Sequence, residues 1–343
     1  MTTSPDDRGP GRNETGPTSL RAGPGAHSGG RQPREIPLEP IELREADGFG
    51  LWRREEPRVA LTIAGLDPSA GAGLVADLRT FDAMGVYGMA VAATLTVQST
   101  KGMYGRHDVD PPAVREQLEA LFSDRRPNAV KTGALATRDI IVEVAYILKK
   151  EEYPGPLVID PVIASGDGQS LLDKDGVKAL VDLLVPHATL VTPNVDEVPY
   201  LCGFDVFDVK DLEAAALRLV AMGARAALVT GGRTVERGGE YAVDVFCDGR
   251  EMSVMKSPWM EGERIHGTGC VLSAAITAGL ALGKNLKSAV NDGRRLVRAS
   301  MENAVKPGHG VASANPYATV RLRALGRMKG GRHANRLHKR HSR

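Results

Sequence analysis

The sequence contains few aromatic residues, few cysteines and no long apolar segment. Phe, Trp and Tyr make up 4% of the 343 residues, which argues against an aromatic-rich β-sandwich and favours helices packed closely on a parallel sheet. The three cysteines, Cys202, Cys247 and Cys270, show no metal-ligand or C-x-x-C spacing, which argues against a disulfide framework and indicates reduced thiols. No run reaches the roughly 18 apolar residues of a membrane span, and the N-terminus has no signal-peptide pattern. We therefore expect a cytoplasmic protein.

Composition divides the chain into three parts. Residues 1–40 contain seven Gly and seven Pro, a composition that resists regular structure. Residues 321–343 carry nine Lys and Arg and no acidic residue, whereas residues 1–320 carry 35 basic and 42 acidic residues. We predict a disordered extension over residues 1–56, a folded domain over 57–320 and a basic disordered tail over 321–343. A solvated tail is the favoured interpretation, and nucleic-acid binding through phosphate contacts is the less favoured one.

An alternation of apolar runs and helical patterns begins at Val59. The run Val59–Ala64 ends at Gly65 and is typical of a strand buried on both faces. Strands and helices then alternate, which predicts an α/β domain with a mostly parallel central sheet flanked by helices. Ligands of such sheets bind at the carboxyl ends of the strands, where the polar motifs of this chain fall. The predicted strands are Val59–Ala64, Met89–Val97, Ala129–Thr132, Leu157–Asp160, Thr189–Thr192 and Ala226–Thr230, followed by a hairpin of Glu240–Cys247 and Glu251–Lys256.

The motif Gly267-Thr268-Gly269-Cys270 precedes an apolar, helix-like run, Val271–Leu282. Unpaired amides at a helix start and the positive end of the helix dipole favour a phosphate, and glycines allow close backbone approach. A thiol at a helix start has a pKa lowered from about 8.5 toward neutrality. Cys270 is therefore a candidate thiolate that accepts a proton from an attacking hydroxyl. A Gly-rich turn followed by a small buried Cys is the alternative for this motif taken alone.

Three further stretches place polar groups where an α/β core prefers apolar ones. They are Gly65–Gly73 with Asp77, Val97–Thr100, and Thr192–Glu197. Each alone has a structural explanation: Asp67 as a helix N-cap, Gln98 as a loop amide, and Asn194 with Glu197 as a capping box.

Together, in this order, these motifs are more specific. The chain from Val59 to about Pro316 resembles the hydroxymethylpyrimidine/phosphomethylpyrimidine kinases of thiamine biosynthesis, which have the ribokinase-like three-layer fold. The resemblance rests on Ala64–Gly73, Ala76–Phe81, Val97–Thr100, Asp160–Val162, Thr192–Asn194 with Glu197, His266–Cys270 and Gly308–Gly310.

The resemblance implies a role for each matching residue. Family members phosphorylate 4-amino-5-hydroxymethyl-2-methylpyrimidine with ATP, and then phosphorylate the monophosphate. Gln98 offers both a donor and an acceptor, which suits an aminopyrimidine edge. Transfer of the γ-phosphoryl group is mostly positioning and charge neutralisation. The implied substrate residues are Gly65, Asp77, Gln98 and Ala134; the ATP-binding residues are Asn194, Thr230, Gly232 and Thr268; the magnesium-binding residues are Glu197 and Asp160; the catalytic residues are Cys270 as base and Gly267 and Gly269 through their amides.

Two positions depart from the family pattern. Thr230 stands where many members have a Lys that neutralises nucleotide phosphate, so Arg233 or Lys131 is expected to compensate, or the second transfer to be weaker. Ala134 stands where a Met often lines the pyrimidine pocket, so a larger pocket and relaxed substrate choice are expected.

Two alternatives remain open from the sequence. One is a pyridoxal or pyridoxine kinase of the same superfamily, whose substrate also carries a hydroxymethyl group on an aromatic ring; Gln98 with Asp77 favours the aminopyrimidine. The other is a degenerate kinase fold that senses a ligand, which the intact Gly267–Cys270 motif argues against. The resemblance also implies a homodimer.

Overall fold

The computed structural model describes residues 56–232, 239–262 and 264–318. The predicted extension, apart from Glu56, and the basic tail lie outside these residues, so the predicted domain boundaries stay predictions. The strands are β1 (Val59–Leu66), β2 (Tyr87–Ser99), β3 (Gly102–Asp108), β4 (Ala129–Thr132), β5 (Leu157–Ile159), β6 (Leu190–Val191), β7 (Ala227–Thr230), β8 (Tyr241–Cys247), β9 (Met252–Pro258), β10 (Ile265–His266) and β11 (Ala312–Ser313). The α-helices are α1 (Gly73–Ala83), α2 (Pro111–Asp124), α3 (Arg138–Lys150), α4 (Lys174–Ala179), α5 (Val198–Cys202), α6 (Val209–Ala221), α7 (Thr268–Ala281) and α8 (Leu286–Glu302).

Nine strands form one sheet in the order β3-β2-β1-β4-β5-β6-β7-β8-β9. The pairs from β2 to β7 are parallel, whereas β3 pairs antiparallel with β2 at one edge and the β8–β9 hairpin lies at the other. β10 and β11 form a separate two-stranded sheet. The predicted mostly parallel sheet with crossover helices is confirmed.

Alternate residues of the parallel strands enter two cores on opposite faces of the sheet. Leu61 and Ile63 of β1 belong to the core that contains residues of α2, α3, α4 and α6. Ala60 of the same strand belongs to the core that contains residues of α1, α7 and α8. This alternation follows from the period of two along a strand, and it produces the three layers of helices, sheet and helices.

Two local features were not predicted. β3 has the sequence Gly102-Met-Tyr-Gly-Arg-His-Asp108, in which only Met103 is buried, so it carries little apolar alternation to reveal a strand. The helix that begins at Lys174 is an α-helix only to Ala179 and continues as a π-helical turn, Leu180–Leu184. No helix among residues 56–232, 239–262 and 264–318 is long and apolar enough to cross a membrane.

A buried ion pair joins α1 to the sheet. Nζ of Lys131, in β4, lies 2.8 Å from both carboxylate oxygens of Asp77 and 3.7 Å from Oδ2 of Asp160. The side chains of Lys131 and Asp77 have no solvent exposure. Burial lowers the pKa of Lys131, but Asp77, Cys270 and Asp160 outweigh burial and the net pKa is raised, so the ammonium stays charged.

We expect Lys131→Met to lower the free energy of unfolding by about 3–5 kcal/mol, because it leaves a carboxylate buried without its cation. The double variant Lys131→Met/Asp77→Leu should recover part of this loss. Urea unfolding at pH 7 measures both, with Lys178→Met as the control, since the Lys178–Asp182 pair is solvent-exposed and contributes little. A loss from Lys131→Met no larger than that of the control would contradict a structural role for the pair.

Candidate active site

One cavity at the carboxyl ends of β1, β4, β5 and β6 brings together most of the predicted site residues. The start of α7 forms one of its walls. The predicted residues that line the cavity are Gly65, Gln98, Ala134, Asp160, Asn194, Glu197, Gly267, Thr268, Gly269 and Cys270. Asp77, Thr230 and Gly232 are the predicted residues that do not line it.

Two glycine-containing loops meet at this wall with no space for a side chain. Gly267, the N-cap of α7, has φ 81°, and a Cβ there would lie 1.8 Å from the carbonyl oxygen of Gly71. A Cβ on Gly73, which has φ 57°, would lie 2.2 Å from the carbonyl oxygen of Gly65. Only glycine satisfies both the left-handed backbone and the close approach. The first turn of α7 is thereby held against the loop that follows β1.

The first amides of α7 face open space. The N–H groups at the start of an α-helix have no partner within the helix, and the helix dipole adds positive potential there. Nothing lies within 4 Å of the position that a Cβ of Gly269 would occupy, and no side chain caps the helix start. These features fit the predicted anion site at Gly267–Gly269.

Cys270 lines the same cavity, but its predicted low pKa is wrong for the unliganded protein. Burial raises the pKa of the thiol to about 12. Lys131 and the N–H of Gly73 lower it, while Asp160 and Asp77 raise it further. The withdrawal of the thiol from water therefore outweighs its place at a helix start, and the resting group is a thiol.

Two buried carboxyl groups, those of Asp160 and Glu197, also line the cavity. Oδ2 of Asp160 accepts a hydrogen bond of 2.8 Å from Oγ of Ser273. Glu197 accepts hydrogen bonds from the backbone N–H groups of Ile163, at 3.2 Å, and Asn194, at 3.0 Å. Burial and the charge of Asp160 raise the pKa of Glu197 to about 8. The charge of Asp160 therefore disfavours ionisation of Glu197.

The motif Asn194–Glu197 is also a structural cap. Oδ1 of Asn194 accepts from the backbone N–H of Glu197, at 3.1 Å, while Glu197 accepts from the N–H of Asn194. The two reciprocal hydrogen bonds of the capping box considered from the sequence are therefore present, but they lie in the turn before α5, whose N-cap is Glu197. Both residues still line the cavity.

The carboxyl groups fit a magnesium ion that is held mainly by water and phosphate oxygens. Mg²⁺ usually keeps several waters and uses one or two carboxylates, and Asp160 and Glu197 supply that number. Among the residues that the structure describes, no group of three or more His, Cys, Asp or Glu side chains forms a closed metal site. The chain therefore offers an open site rather than a protein cage.

Asp77 does not lie where a substrate contact was predicted. Its side chain has no solvent exposure, both carboxylate oxygens contact Lys131, and Oδ2 also accepts from Oγ1 of Thr62 at 2.7 Å. Thr230 replaces the lysine with which many family members bind phosphate, and Lys131 was expected to compensate. Lys131 does not fit that role, because its ammonium is paired with carboxylates. The other substitute, Arg233, lies outside the described residues.

Ala134 does not open the pocket as expected. It belongs to a small apolar cluster with Met103 and Leu171, and Val162 packs against that cluster. Met103 comes from β3, the strand that was not predicted. Met103, Leu171 and Val162 therefore occupy the space next to the short side chain of Ala134.

Thr230 is the last residue of β7, and Gly232 lies two residues beyond the end of that strand. The N–H of Thr230 donates to the carbonyl oxygen of Pro193 at 2.9 Å, which holds Thr230 next to Asn194. Gly232 precedes residues 233–238, which lie outside the described residues. Their ATP-binding role stays a prediction.

The motif Gly308–Gly310 supports the turn that follows Gln98. The N–H of Gly310 donates to Oγ1 of Thr100 at 3.1 Å, and a Cβ on Gly310 would lie 1.8 Å from the carbonyl oxygen of Thr100. No role was predicted for this motif or for His266, and Asp67 was considered only as a helix N-cap, although all three lie within the quoted stretches. For Lys131 a signal was present: a lysine inside an apolar strand needs a buried partner.

The sequence comparison supports the family named by the resemblance. Residues 67–315 match the profile of the phosphomethylpyrimidine kinase family. The chain is 37% identical over 252 residues to the hydroxymethylpyrimidine/phosphomethylpyrimidine kinase of Aquifex aeolicus, covering 74% of this chain and 97% of that protein. It is 37% identical over 263 residues to the Bacillus subtilis protein of the same name, covering 76% and 96% respectively.

Solved structures confirm the predicted ribokinase-like fold. The ADP complex of Bacillus subtilis pyridoxal kinase aligns with a TM-score of 0.70 and 34% identity over 78% of this chain and all of that chain. Phosphomethylpyrimidine kinase from Clostridium difficile aligns with a TM-score of 0.62 and 36% identity, over 71% of this chain and 99% of that chain. With the family profile spanning the cavity, these similarities lead to one conclusion: the chain belongs to the phosphomethylpyrimidine kinase family of phosphotransferases.

Proposed function

We propose that this protein transfers the γ-phosphoryl group of ATP to the hydroxymethyl group of 4-amino-5-hydroxymethyl-2-methylpyrimidine, and then phosphorylates the resulting monophosphate, in thiamine biosynthesis. The observation that carries this proposal is that Gln98 and Cys270 line one cavity with the first turn of α7. A pyrimidine bound at Gln98 and a phosphate bound at Gly267–Gly269 therefore share a single site. The names of the relatives support the substrate class.

The reaction forms a bond between the alcohol oxygen and the γ-phosphorus and breaks the bond from that phosphorus to ADP. The amides of Gly267 and Gly269 stabilise the charge of the transferred group, because they need no reorganisation as the transfer proceeds. Cys270 is the acceptor proposed for the alcohol proton. The sulfur acts as base only after losing its own proton, a loss that Lys131 favours and Asp160 and Asp77 oppose.

Asp160 and Glu197 are the residues proposed to hold Mg²⁺. The ion, when bound, neutralises charge on the ATP phosphates. Asn194 orders Glu197 through the capping box and lies at the same wall. ATP as phosphoryl donor is supported by relatives solved with ADP and with AMP-PCP.

Pyridoxal phosphorylation is a second candidate activity, because several similar structures are pyridoxal kinases, including those of Bacillus subtilis and Staphylococcus aureus. Both substrates present a hydroxymethyl group on a six-membered aromatic ring. They differ at the edge facing an amide side chain, where the aminopyrimidine has a donor beside an acceptor. Gln98 matches that edge.

The proposed function predicts turnover of the hydroxymethylpyrimidine and of its monophosphate by the wild-type chain, with a lower kcat/KM for pyridoxal. Cys270→Ala should lower kcat by about 10²-fold or more, the usual contribution of a positioned base. Coupled ADP-release assays measure all three substrates, with Cys202→Ala as the matched control, since Cys202 does not line the cavity. No turnover of any substrate would overturn the kinase proposal, and preference for pyridoxal would promote the second candidate.

Magnesium binding should strengthen as pH rises toward 8. The raised pKa of Glu197, about 8, means that the carboxyl group is protonated below that pH, so binding of a cation must release the proton. Between pH 7 and 8 we expect the apparent KM for Mg²⁺ to fall by up to about tenfold and then to level off. Glu197→Gln, which has no proton to release, should weaken binding and flatten this dependence. The same slope in the variant would contradict Glu197 as a ligand.

We also propose that two copies of the chain pair through the β2–β3 edge of the sheet. Three large apolar residues there are solvent-exposed: Leu95 at 43%, Val97 at 46% and Tyr104 at 65%. β3 is also the edge strand of the nine-stranded sheet.

This pairing predicts a dimer, so sedimentation velocity of the wild type should give twice the 36.5 kDa mass of one chain. The double variant Val97→Lys/Tyr104→Lys should sediment as a single chain. The control variant Phe207→Lys should remain a dimer. A monomeric wild type would contradict this pairing.

A further inference from the structure

The imidazole of His266 lies between a carboxylate and the amide predicted to contact the substrate. Its Nε2 lies 2.9 Å from Oδ2 of Asp67 and 3.1 Å from Nε2 of Gln98. A Cβ on Gly71 would lie 2.4 Å from Cδ2 of this ring, so the glycine leaves room for the imidazole. The backbone of His266 is held by pairing of β10 with β11. The ring therefore has one fixed nitrogen facing two polar groups.

Asp67 determines whether Nε2 of His266 carries a hydrogen. Its Oδ1 accepts from the N–H and the Oγ of Ser69, and its Oδ2 accepts from the N–H of Ala72 at 3.0 Å. Burial raises the pKa of Asp67, but hydrogen bonds from His266 and Ser69 outweigh burial and lower it below the ordinary value. An ionised carboxylate only accepts hydrogen bonds, so Nε2 of His266 must carry a hydrogen to bond with Oδ2.

The protonated Nε2 then determines the orientation of the Gln98 amide. Its one hydrogen faces both Oδ2 of Asp67 and the Gln98 amide, so Gln98 can only share that hydrogen as a second acceptor. An amide NH₂ at this position would bring its own hydrogens against the ring N–H, so the amide atom that faces His266 must be the oxygen. The contact between Gln98 and Thr96 supports the same orientation of the amide. Oγ1 of Thr96 lies 3.0 Å from the carbonyl oxygen of Leu66, to which it donates, and 3.2 Å from the second amide atom of Gln98. With its single hydrogen used by Leu66, this hydroxyl can only accept from Gln98, which requires an amide nitrogen there.

We propose that His266, held by Asp67 with its hydrogen on Nε2, is a positioning residue that orients the Gln98 amide with Oε1 toward the imidazole and Nε2 toward Thr96. The identity of the substrate in this inference rests on the proposed function. The assignment of the hydrogen bonds rests on Asp67, His266, Gln98 and Thr96 alone.

A fixed amide has a consequence for substrate choice. A rotating amide would offer its donor and acceptor in either order, so an aminopyrimidine could bind in two orientations that differ by a flip of the ring. With the order fixed, the ring nitrogen and its neighbouring amino group bind in one orientation, and the hydroxymethyl group points in one direction. Pyridoxal carries a ring hydroxyl beside an aldehyde, with no amino donor at that edge, and gains less from a fixed acceptor.

The hydrogen on Nε2 is tested directly by ¹⁵N NMR of the full chain labelled at histidine. The signal of Nε2 in His266, assigned by its loss in His266→Gln, should be that of a nitrogen carrying hydrogen. Gln98→Glu, whose side chain can only accept, should leave this signal in place. An Nε2 without hydrogen in the wild type would overturn the proposal, whatever the enzyme's activity.

A matched pair of variants tests the positioning role. Gln can donate from about the same place as Nε2, whereas Met has the same length and no donor. We expect His266→Met to raise KM for the hydroxymethylpyrimidine about tenfold with little change in KM for ATP, and His266→Gln to stay within about threefold of the wild type. The preference for the pyrimidine over pyridoxal should fall in the Met variant only.

Three outcomes are distinguishable. Equal losses in the Gln and Met variants, or no loss in either, would overturn the positioning role. A thermal unfolding curve for each variant separates loss of fold from loss of the hydrogen bond, and the wild-type NMR measurement decides the assignment even if both variants unfold. A wild type that phosphorylates no pyrimidine alcohol would refute the proposed function, while the NMR result would still decide the state of His266.

Discussion

A single buried cation determines how charge is arranged at the centre of this protein. Lys131 has no solvent exposure and contacts Asp77 and Asp160, which come from α1 and from the end of β5. Removing a charge from water costs several kcal/mol unless a partner is close. The burial of Lys131 therefore requires α1, β4 and β5 to keep their relative positions. Burial has the largest effect on the pKa of Cys270, and the same charges also act on it: Lys131 lowers that pKa, and Asp160 and Asp77 raise it. Stability of the fold and chemistry at the sulfur therefore depend on one ion cluster.

Around this cluster, glycines are as important as the charged side chains, because they allow close approaches that a Cβ would prevent. Gly267 brings the start of α7 against the loop after β1, and Gly73 brings the two ends of that loop together, at distances that a Cβ would not allow. Gly71 leaves space for the imidazole of His266, and Gly310 for the backbone of Thr100. The proposed phosphate site and the proposed pyrimidine site consequently line one cavity, although His266 and Gln98 are far apart in sequence.

The sequence predicts the fold better than the site. Apolar runs such as β1 are reliable, because a strand buried on both faces carries a strong signal, whereas β3 has almost none. Most residues of the motifs line one cavity, but Asp77 does not, because its carboxylate is paired with Lys131. The motifs also gave the wrong direction for the pKa of Cys270. Both errors have the same cause: burial and pairing depend on neighbours that are distant in sequence, and local spacing does not report them.

The central claim is that one cavity holds the terminal phosphate of a nucleotide at the first turn of α7 and an alcohol beside Cys270. A crystal structure of the wild-type chain with magnesium, a non-hydrolysable ATP analogue and the hydroxymethylpyrimidine tests it most directly. We expect the γ-phosphate within hydrogen-bond distance of the amides of Gly267–Gly269, the hydroxymethyl oxygen between that phosphate and Sγ of Cys270, and the pyrimidine edge on Gln98. A nucleotide whose phosphates lie away from α7, or a pyrimidine bound outside this cavity, would contradict the account.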